Sequence, residues 1–496
     1  MTEQTKLGKI YSNKIFKWIA FGVFSGLAGG LGGVIFTFTL SIVDEFFWGV
    51  VNNLKNSGHL LIIPLIPFTG GLIVGILNYL IDREAFYVPC ATDGMIDLVH
   101  RSYGYTHPKK PLLKIFTASI TIGTGGSAGR ECPMAYTGAG LGALVNLMIR
   151  RSGLGKLMKF TRRDSKIVAI CGASGALGGI FMAPLGGGIF ASEVLYSEDI
   201  EIEALPSAIL ASIIGCAIFS QVFGIEALVE FPKFHDMLIF NKDLIFDLFH
   251  VINMVLLGLI SCLAGVLWVK VFYRVHYSLR DSKVPRPLRP ALGALLDGLV
   301  IIVVLLLTGE LYIWGMGYQF IQEAIYPKEF GLRFGQFALI VFIILYLGKI
   351  LAGAFSIGSA GAGGVIVPTL FAGAMVGGAF AEALSWFFPR FMANDAIMSA
   401  YVVAGMAALY AAVGRVPMST ILLLCETCRN FSLFAPMFIS SITAFMLAKR
   451  LNITIYPSQL PKRPKLTRKR RIFDFLLWFL IIGSGVALYF LTGAVI

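Results

Sequence analysis

One glutamate of this chain stands in a glycine-rich, apolar stretch, IGTGGSAGRECP (122–133), where Gly129, Arg130, Glu131, Cys132 and Pro133 follow one another. Glycine runs that end in proline mark places where a helix restarts, and the first N–H groups of a restarted helix have no partner within it. Those groups carry the positive end of the helix dipole and form a ready site for a small anion. A second run, IGSAGAGGVIVP (357–368), supplies another such start, with Ile366 where the first has Glu131. Two starts converging would hold an anion without any full positive charge. A lysine there would bind it too tightly for rapid transport, whereas partial charges attract it and still release it. Arg130 is the one nearby charge, and it can either line a path or cap local carbonyls.

Other chemistry is poorly supplied. There is no Ser-His-Asp arrangement, no H-E-x-x-H and no phosphate loop, and His59, His100, His107, His235, His250 and His276 are scattered, so no enzyme and no cofactor is expected. The seven cysteines lie in apolar or glycine-rich segments, as packed thiols do. Cys425 and Cys428 form a C-x-x-C with no second pair, which reads as core packing.

The elements that must position Glu131 are membrane helices. Of 496 residues, 57% are hydrophobic and 14% charged, against about 25% charged in soluble chains. Apolar runs able to cross, or nearly cross, about 30 Å of hydrocarbon occur near 18–43, 60–81, 115–149, 166–195, 207–230, 245–273, 291–325, 334–392, 398–427, 431–448 and 473–495. No barrel-like alternation is present, so the class is an all-α membrane protein. The net charge of +13 does not indicate nucleic acid. Of the 41 Lys and Arg, 27 fall within 1–17, 101–114, 150–163, 270–289 and 462–471, and basic clusters beside spans mark cytoplasmic loops. The last cluster also suits anionic lipid headgroups. Because basic clusters flank 115–149 on both sides, that run is expected to be a helical hairpin turning at Gly123–Pro133, inside the protein.

The chain also repeats. Aligned without gaps, 122–133 and 357–368 share five of twelve residues at an offset of 235, and Gly172, Pro184 and Glu193 match Gly405, Pro417 and Glu426 at an offset of 233. Two related halves with broken helices are the organisation of transporters whose ion site lies between repeats. The expected divisions are a cytoplasmic N-terminus (1–17), a first repeat (18–235), a second (236–460), a basic linker (461–471) and an additional transmembrane helix (472–496).

These residues resemble the CLC family of chloride channels and chloride/proton antiporters. Gly129 to Pro133 is similar to its G-R-E-G-P, with Cys132 for the second glycine, and Gly364 to Pro368 is similar to its G-x-F-x-P, with Ile366 for phenylalanine. The third signature, G-S-G-I-P, falls by the family's spacing on Pro89-Cys90-Ala91-Thr92-Asp93, and Tyr456 stands where the family has a tyrosine. The resemblance covers about residues 15–460. It implies two inverted-topology helical repeats, with broken and re-entrant helices, in a homodimer with one pore per subunit. It implies a multi-pass protein of a bacterial inner or plasma membrane. Chloride or a related anion would be held by Cys90, Tyr456 and the amides of Val365 and Ile366, with Arg130 and Cys132 also among the anion-binding residues and Glu131 as the gate. When ionised, the Glu131 carboxylate would occupy an anion position; protonated or swung away, it would open the path.

Val194 decides between mechanisms. Family antiporters usually carry a proton-relaying glutamate there, after the first glutamate; here Glu193 is followed by Val194, as in channel members. That favours passive, voltage-gated chloride conduction, with chloride/proton antiport as the alternative, which would need another acid such as Glu198, or water. A fluoride/proton antiporter of the same fold is a third reading, suggested by the departures at Cys90 and Ile366.

Overall fold

A computed structural model describes residues 14–224, 230–231 and 244–462. The additional helix at 472–496, the linker beyond Lys462, residues 1–13 and the junction between the two expected repeats lie outside the described residues.

The described chain is helical throughout. Its main helices are α1 (Lys14–Asn56), α2 (Leu65–Ile81), α3 (Ala91–His100), α4 (Lys109–Gly123), α5 (Glu131–Arg151), α6 (Arg162–Phe181), α7 (Pro184–Glu193) and α8 (Leu205–Phe223). There follow α9 (Leu244–Arg280), α10 (Arg289–Thr308), α11 (Tyr318–Ile325), α12 (Pro327–Phe334), α13 (Ala338–Gly358), α14 (Ile366–Phe387), α15 (Asp395–Gly414), α16 (Pro417–Thr427) and α17 (Phe434–Arg450). Among the described residues, eleven helical segments are long and apolar enough to cross a membrane. Large apolar side chains such as Phe24, Leu31, Ile35 and Phe38 on α1 stay exposed on the outer face, as lipid-facing positions require.

The helices meet through glycine because backbones must approach closely where no hydrophobic drive separates protein from lipid. Helices α5 and α6 touch at Gly138 and Gly172, where a Cβ on Gly172 would lie 2.2 Å from the Gly138 carbonyl oxygen. Helices α14 and α15 touch at Gly373 and Gly405, where a Cβ on Gly405 would lie 2.5 Å from the Gly373 carbonyl oxygen. Each contact is the counterpart of the other at the offsets seen in the sequence. The same correspondence ends α6 and α15, whose following residues Met182 and Arg415 both adopt the left-handed conformation, with φ of 53° and 58°.

Two short helices then brace each other. The Glu193 carboxylate, at the end of α7, accepts the N–H groups of Met418 and Ser419 at the start of α16, at 3.2 and 2.7 Å. The Glu426 carboxylate, near the end of α16, accepts those of Leu185 and Gly186 at the start of α7, at 3.0 and 2.7 Å. The first N–H groups of each of these two helices are thus met by a carboxylate of the other.

Replacing Gly172 by alanine presses a methyl group into the backbone of α5. Gly172→Ala is expected to destabilise the fold by about 1–3 kcal/mol, seen as a lower midpoint of thermal unfolding in detergent. An unchanged midpoint would count against backbone contact as the reason for this glycine.

Candidate functional site

The hairpin expected at Gly123–Pro133 is present: α4 ends at Gly123, the chain unwinds, and α5 starts at Glu131. Residues 359–365 do the same between α13 and α14. Both loops are buried, and they cross at the Gly129 N–H, which donates to the Gly364 carbonyl at 2.8 Å. A third start arrives from α3, whose N-cap is Cys90, in extended conformation and without a side-chain bond to its own first turn.

The structure brings the expected anion-site residues together. Cys90 and Cys132 are both buried and free, and the Gly364 backbone packs on Cys132, where a Cβ on that glycine would lie 2.6 Å from the Cys132 Sγ. Tyr456 is fully buried, its hydroxyl 3.1 Å from that of Tyr410. Its segment is pinned on several sides. The Ser458 N–H and hydroxyl both donate to the Asp93 carboxylate at 2.9 Å, the Tyr273 hydroxyl donates to the Ile455 carbonyl at 2.8 Å, and the Ile455 N–H donates to the Val413 carbonyl at 2.9 Å. Asp93 stands where the family signature ends in proline, and here it ties α3 to the tyrosine segment.

Glu131 has no exposed surface. Its side chain folds back over Gly129, where a Cβ would lie 2.5 Å from Glu131 Oε2 and 3.1 Å from Val367 Cβ. Its Oε1 accepts a hydrogen bond from the Tyr318 hydroxyl at 2.7 Å, while Oε2 has no hydrogen-bond partner. Arg130 Nε stands 3.7 Å from Oε1, too far for a hydrogen bond, and Arg130 Nη2 donates to the Ile180 carbonyl at 3.4 Å. Arg130 therefore caps a carbonyl and stands beside the glutamate. The glutamate's direct partner is Tyr318.

Tyr318 did not emerge from the sequence, because 291–325 reads as one apolar run. The run breaks after α10 at Gly309, and the loop that follows delivers Tyr318 as the first residue of α11. Lys349 of α13, fully buried, fixes that loop by donating to the carbonyls of Gly315 at 2.8 Å and Ile313 at 3.3 Å. The Gly315 N–H donates to the Gly125 carbonyl at 3.0 Å, joining the loop to the one that carries Glu131. Gly317, at φ 81°, makes the final turn, and a Cβ there would lie 3.1 Å from the Phe371 ring. A lone lysine in an apolar helix was the available signal, since intramembrane charges are rarely idle.

Val194 is fully buried at the end of α7, and its carbonyl accepts a bond from Gln459 Nε2 at 3.1 Å. Glu198 is not brought to it. That carboxylate sits near the surface, 3.0 Å from Lys449 and 3.8 Å from Lys462. The Lys449 hydrogen bond, with charge from both lysines, holds its carboxyl below the usual range.

Residues 90–449 match the family model described as voltage gated chloride channel. An uncharacterized protein of Methanocaldococcus jannaschii is 26% identical over 89% of this chain and 96% of its own length. A putative chloride channel protein, ClcB-like, of Ralstonia nicotianae is 25% identical over 85% and 91%. Among solved structures, a slow cyanobacterial Cl−/H+ antiporter shares the fold at a TM-score of 0.70 and 20% identity, over 89% of this chain and 96% of that one. A CLC-type fluoride/proton antiporter does so at 0.68 and 18%, over 90% and 98%.

Proposed function

Because this chain belongs to the CLC family of chloride channels and antiporters, and so is a multi-pass membrane protein that transports anions and is not an enzyme, we propose that it exchanges chloride for protons, with Glu131 as both gate and proton carrier. The observation that carries this reading is the Glu131 carboxyl, buried at the start of α5 beside the converging starts of α3 and α14. In that position an ionised carboxylate competes for the donors an anion needs, and taking up a proton weakens its hold. One group thereby links anion passage to proton passage. The two solved relatives compared above are described as proton antiporters, which supports exchange over simple conduction.

In this reading the anion meets the amides of Val365 and Ile366, the Cys90 thiol and the Tyr456 hydroxyl, with Arg130 and Cys132 flanking the gate. Tyr318 latches the gate shut and Lys349 holds the latch. The basic loops face the cytoplasm, and the inner leg of the proton route runs through water.

Passive conduction is the second reading. Its support is Val194, an apolar side chain where family antiporters usually carry a relaying acid, and the channel name borne by the Ralstonia relative. Reversal potentials in planar bilayers separate the two. With symmetric chloride and a pH gradient, exchange displaces the reversal potential from zero, and a value at zero would sink the exchange reading in favour of conduction.

Two substitutions test the gate. Glu131→Gln removes the titrating group, so anion flux should lose its pH dependence; a pH profile like that of the unaltered chain would make the carboxylate structural. Tyr318→Phe removes a hydrogen bond to a charged acceptor, worth about 1.5–3 kcal/mol. The shut arrangement should then be less favoured and anion flux at neutral pH should rise by about tenfold or more. Unchanged flux would exclude Tyr318 as a latch.

A further inference from the structure

A cavity of about 270 Å³ has Tyr318 in its wall, together with Asp44 and Trp48 of α1, Trp314, Met316 and Gln319. Helix α1 rises about 1.5 Å per residue, so Asp44 stands about 40 Å along it from Lys17, more than the roughly 30 Å of hydrocarbon. The cavity therefore belongs to the end of the molecule away from the basic N-terminal cluster. Two glycines of the loop before α11 shape it. Gly315 and Gly317 both adopt the left-handed conformation, with φ of 53° and 81°, and a Cβ on Gly315 would lie 4.0 Å from Asp44 Oδ1. Trp314 is buried, while Asp44 and Trp48 are partly exposed.

The lining does not suit an anion. It holds a carboxylate, a carboxamide, a thioether and three aromatic side chains, and neither lysine nor arginine. The Asp44 carboxylate makes no hydrogen bond and no ion pair with any described residue. Glu45, next in the chain and exposed, adds a second negative charge. Lys349 lies behind the loop and donates to the carbonyls of Ile313 and Gly315. A metal cation takes several oxygen ligands, and here it would find one carboxylate among rings. Aromatic faces beside a carboxylate suit an organic cation instead, which is attracted by the rings as well as by the charge. The volume falls below the roughly 300–1,000 Å³ of pockets that enclose drug-sized ligands, so the fitting ligand is small.

We propose that this cavity binds a small organic ammonium ion, with Asp44 balancing its charge and Trp48, Trp314 and Tyr318 packing on its methyl or methylene groups, and that the bound cation slows anion passage. The second half rests on the reading of Tyr318 as a latch. Tyr318 belongs to both places: its ring lines the cavity, and its hydroxyl donates to Glu131 Oε1 at 2.7 Å. A cation packed on that ring binds the latched arrangement better than the released one. It therefore shifts the gate toward shut by the ratio of the two affinities.

The test uses the full chain, with tetramethylammonium as the probe and sodium at the same concentration as the control. Binding is read in detergent from intrinsic tryptophan fluorescence. Anion passage is read as chloride efflux from liposomes that carry the probe at equal concentration on both faces. Tetramethylammonium should give a saturable fluorescence change that sodium does not, and at saturation efflux should fall by about threefold or more. Asp44→Asn removes the charge and should weaken binding by about tenfold or more. Trp48→Leu removes one ring and should weaken it by about threefold, with Trp314 still reporting. Flux in each variant is scored with the probe over without it, and that ratio should return toward one. Where one variant fails to fold, the other decides. No saturable change, or an affinity that a folded variant leaves unaltered, overturns the site. Binding with undiminished efflux overturns the brake alone. A chain that binds the probe and carries no chloride overturns the transport reading, and the brake with it, while the site stands.

Discussion

The backbone N–H groups at helix starts inside the membrane set the terms for the rest of this protein. Water cannot reach them there, so each must find an acceptor within the fold. Most do. The Gly129 N–H has the Gly364 carbonyl, the Ser127 N–H has the Asp297 carboxylate at 3.0 Å, and the Ala362 N–H has the Thr121 hydroxyl at 3.2 Å. The starts of α7 and α16 have the carboxylates of Glu426 and Glu193. The starts of α3, α5 and α14 have no side-chain cap. Donors met by a carboxylate have nothing left to offer an anion, whereas uncapped donors do.

The same economy governs the fixed cation. Lys349 is the fully buried lysine of the described residues, yet its ammonium is directed to the carbonyls of Ile313 and Gly315 and lies 5.0 Å from the centre of the Phe371 ring. Asp297 is likewise fully buried, and its carboxylate accepts from the Ser127 N–H. The lysine's effect reaches Glu131 through geometry, by holding the loop that ends in Tyr318. A cation placed this way shapes the site without becoming its anchor.

Much of this was legible in the sequence, for a physical reason. Broken helices at membrane depth need glycine and proline at fixed places, so the runs at 122–133 and 357–368 announced both the starts and the repeat. The hairpin between basic clusters followed from length alone. Glu131 stood out because a carboxylate is costly in such surroundings. What escaped notice was lateral. Tyr318 reaches Glu131 from 187 residues further along the chain, and no local pattern distinguishes it from the other tyrosines. Asp93 was visible as a departure from a motif, but its bond to Ser458 spans 365 residues. Tyr410 sits in a strongly apolar helix that also carries Tyr401, where phenols among alanines and valines read as packing.

The inner half of the proton route is where the structure bears hardest on mechanism. Glu193, the neighbour of Val194 in the chain, is the first candidate to replace the acid absent there. Its carboxylate is instead committed to the start of α16, and moving it would strand two buried N–H groups. Gln459 closes the other side by bridging the carbonyls of Val194 and Gly414, at 3.1 and 2.9 Å. Glu198 stays near the surface with its lysines. Under the exchange reading, then, none of these side chains hands a proton from the inner surface to Glu131. Protons on that side travel by water, and water enters only as often as the packing around Val194 admits it. Under that reading exchange is limited by the inner leg, and Glu131 itself serves the outer one.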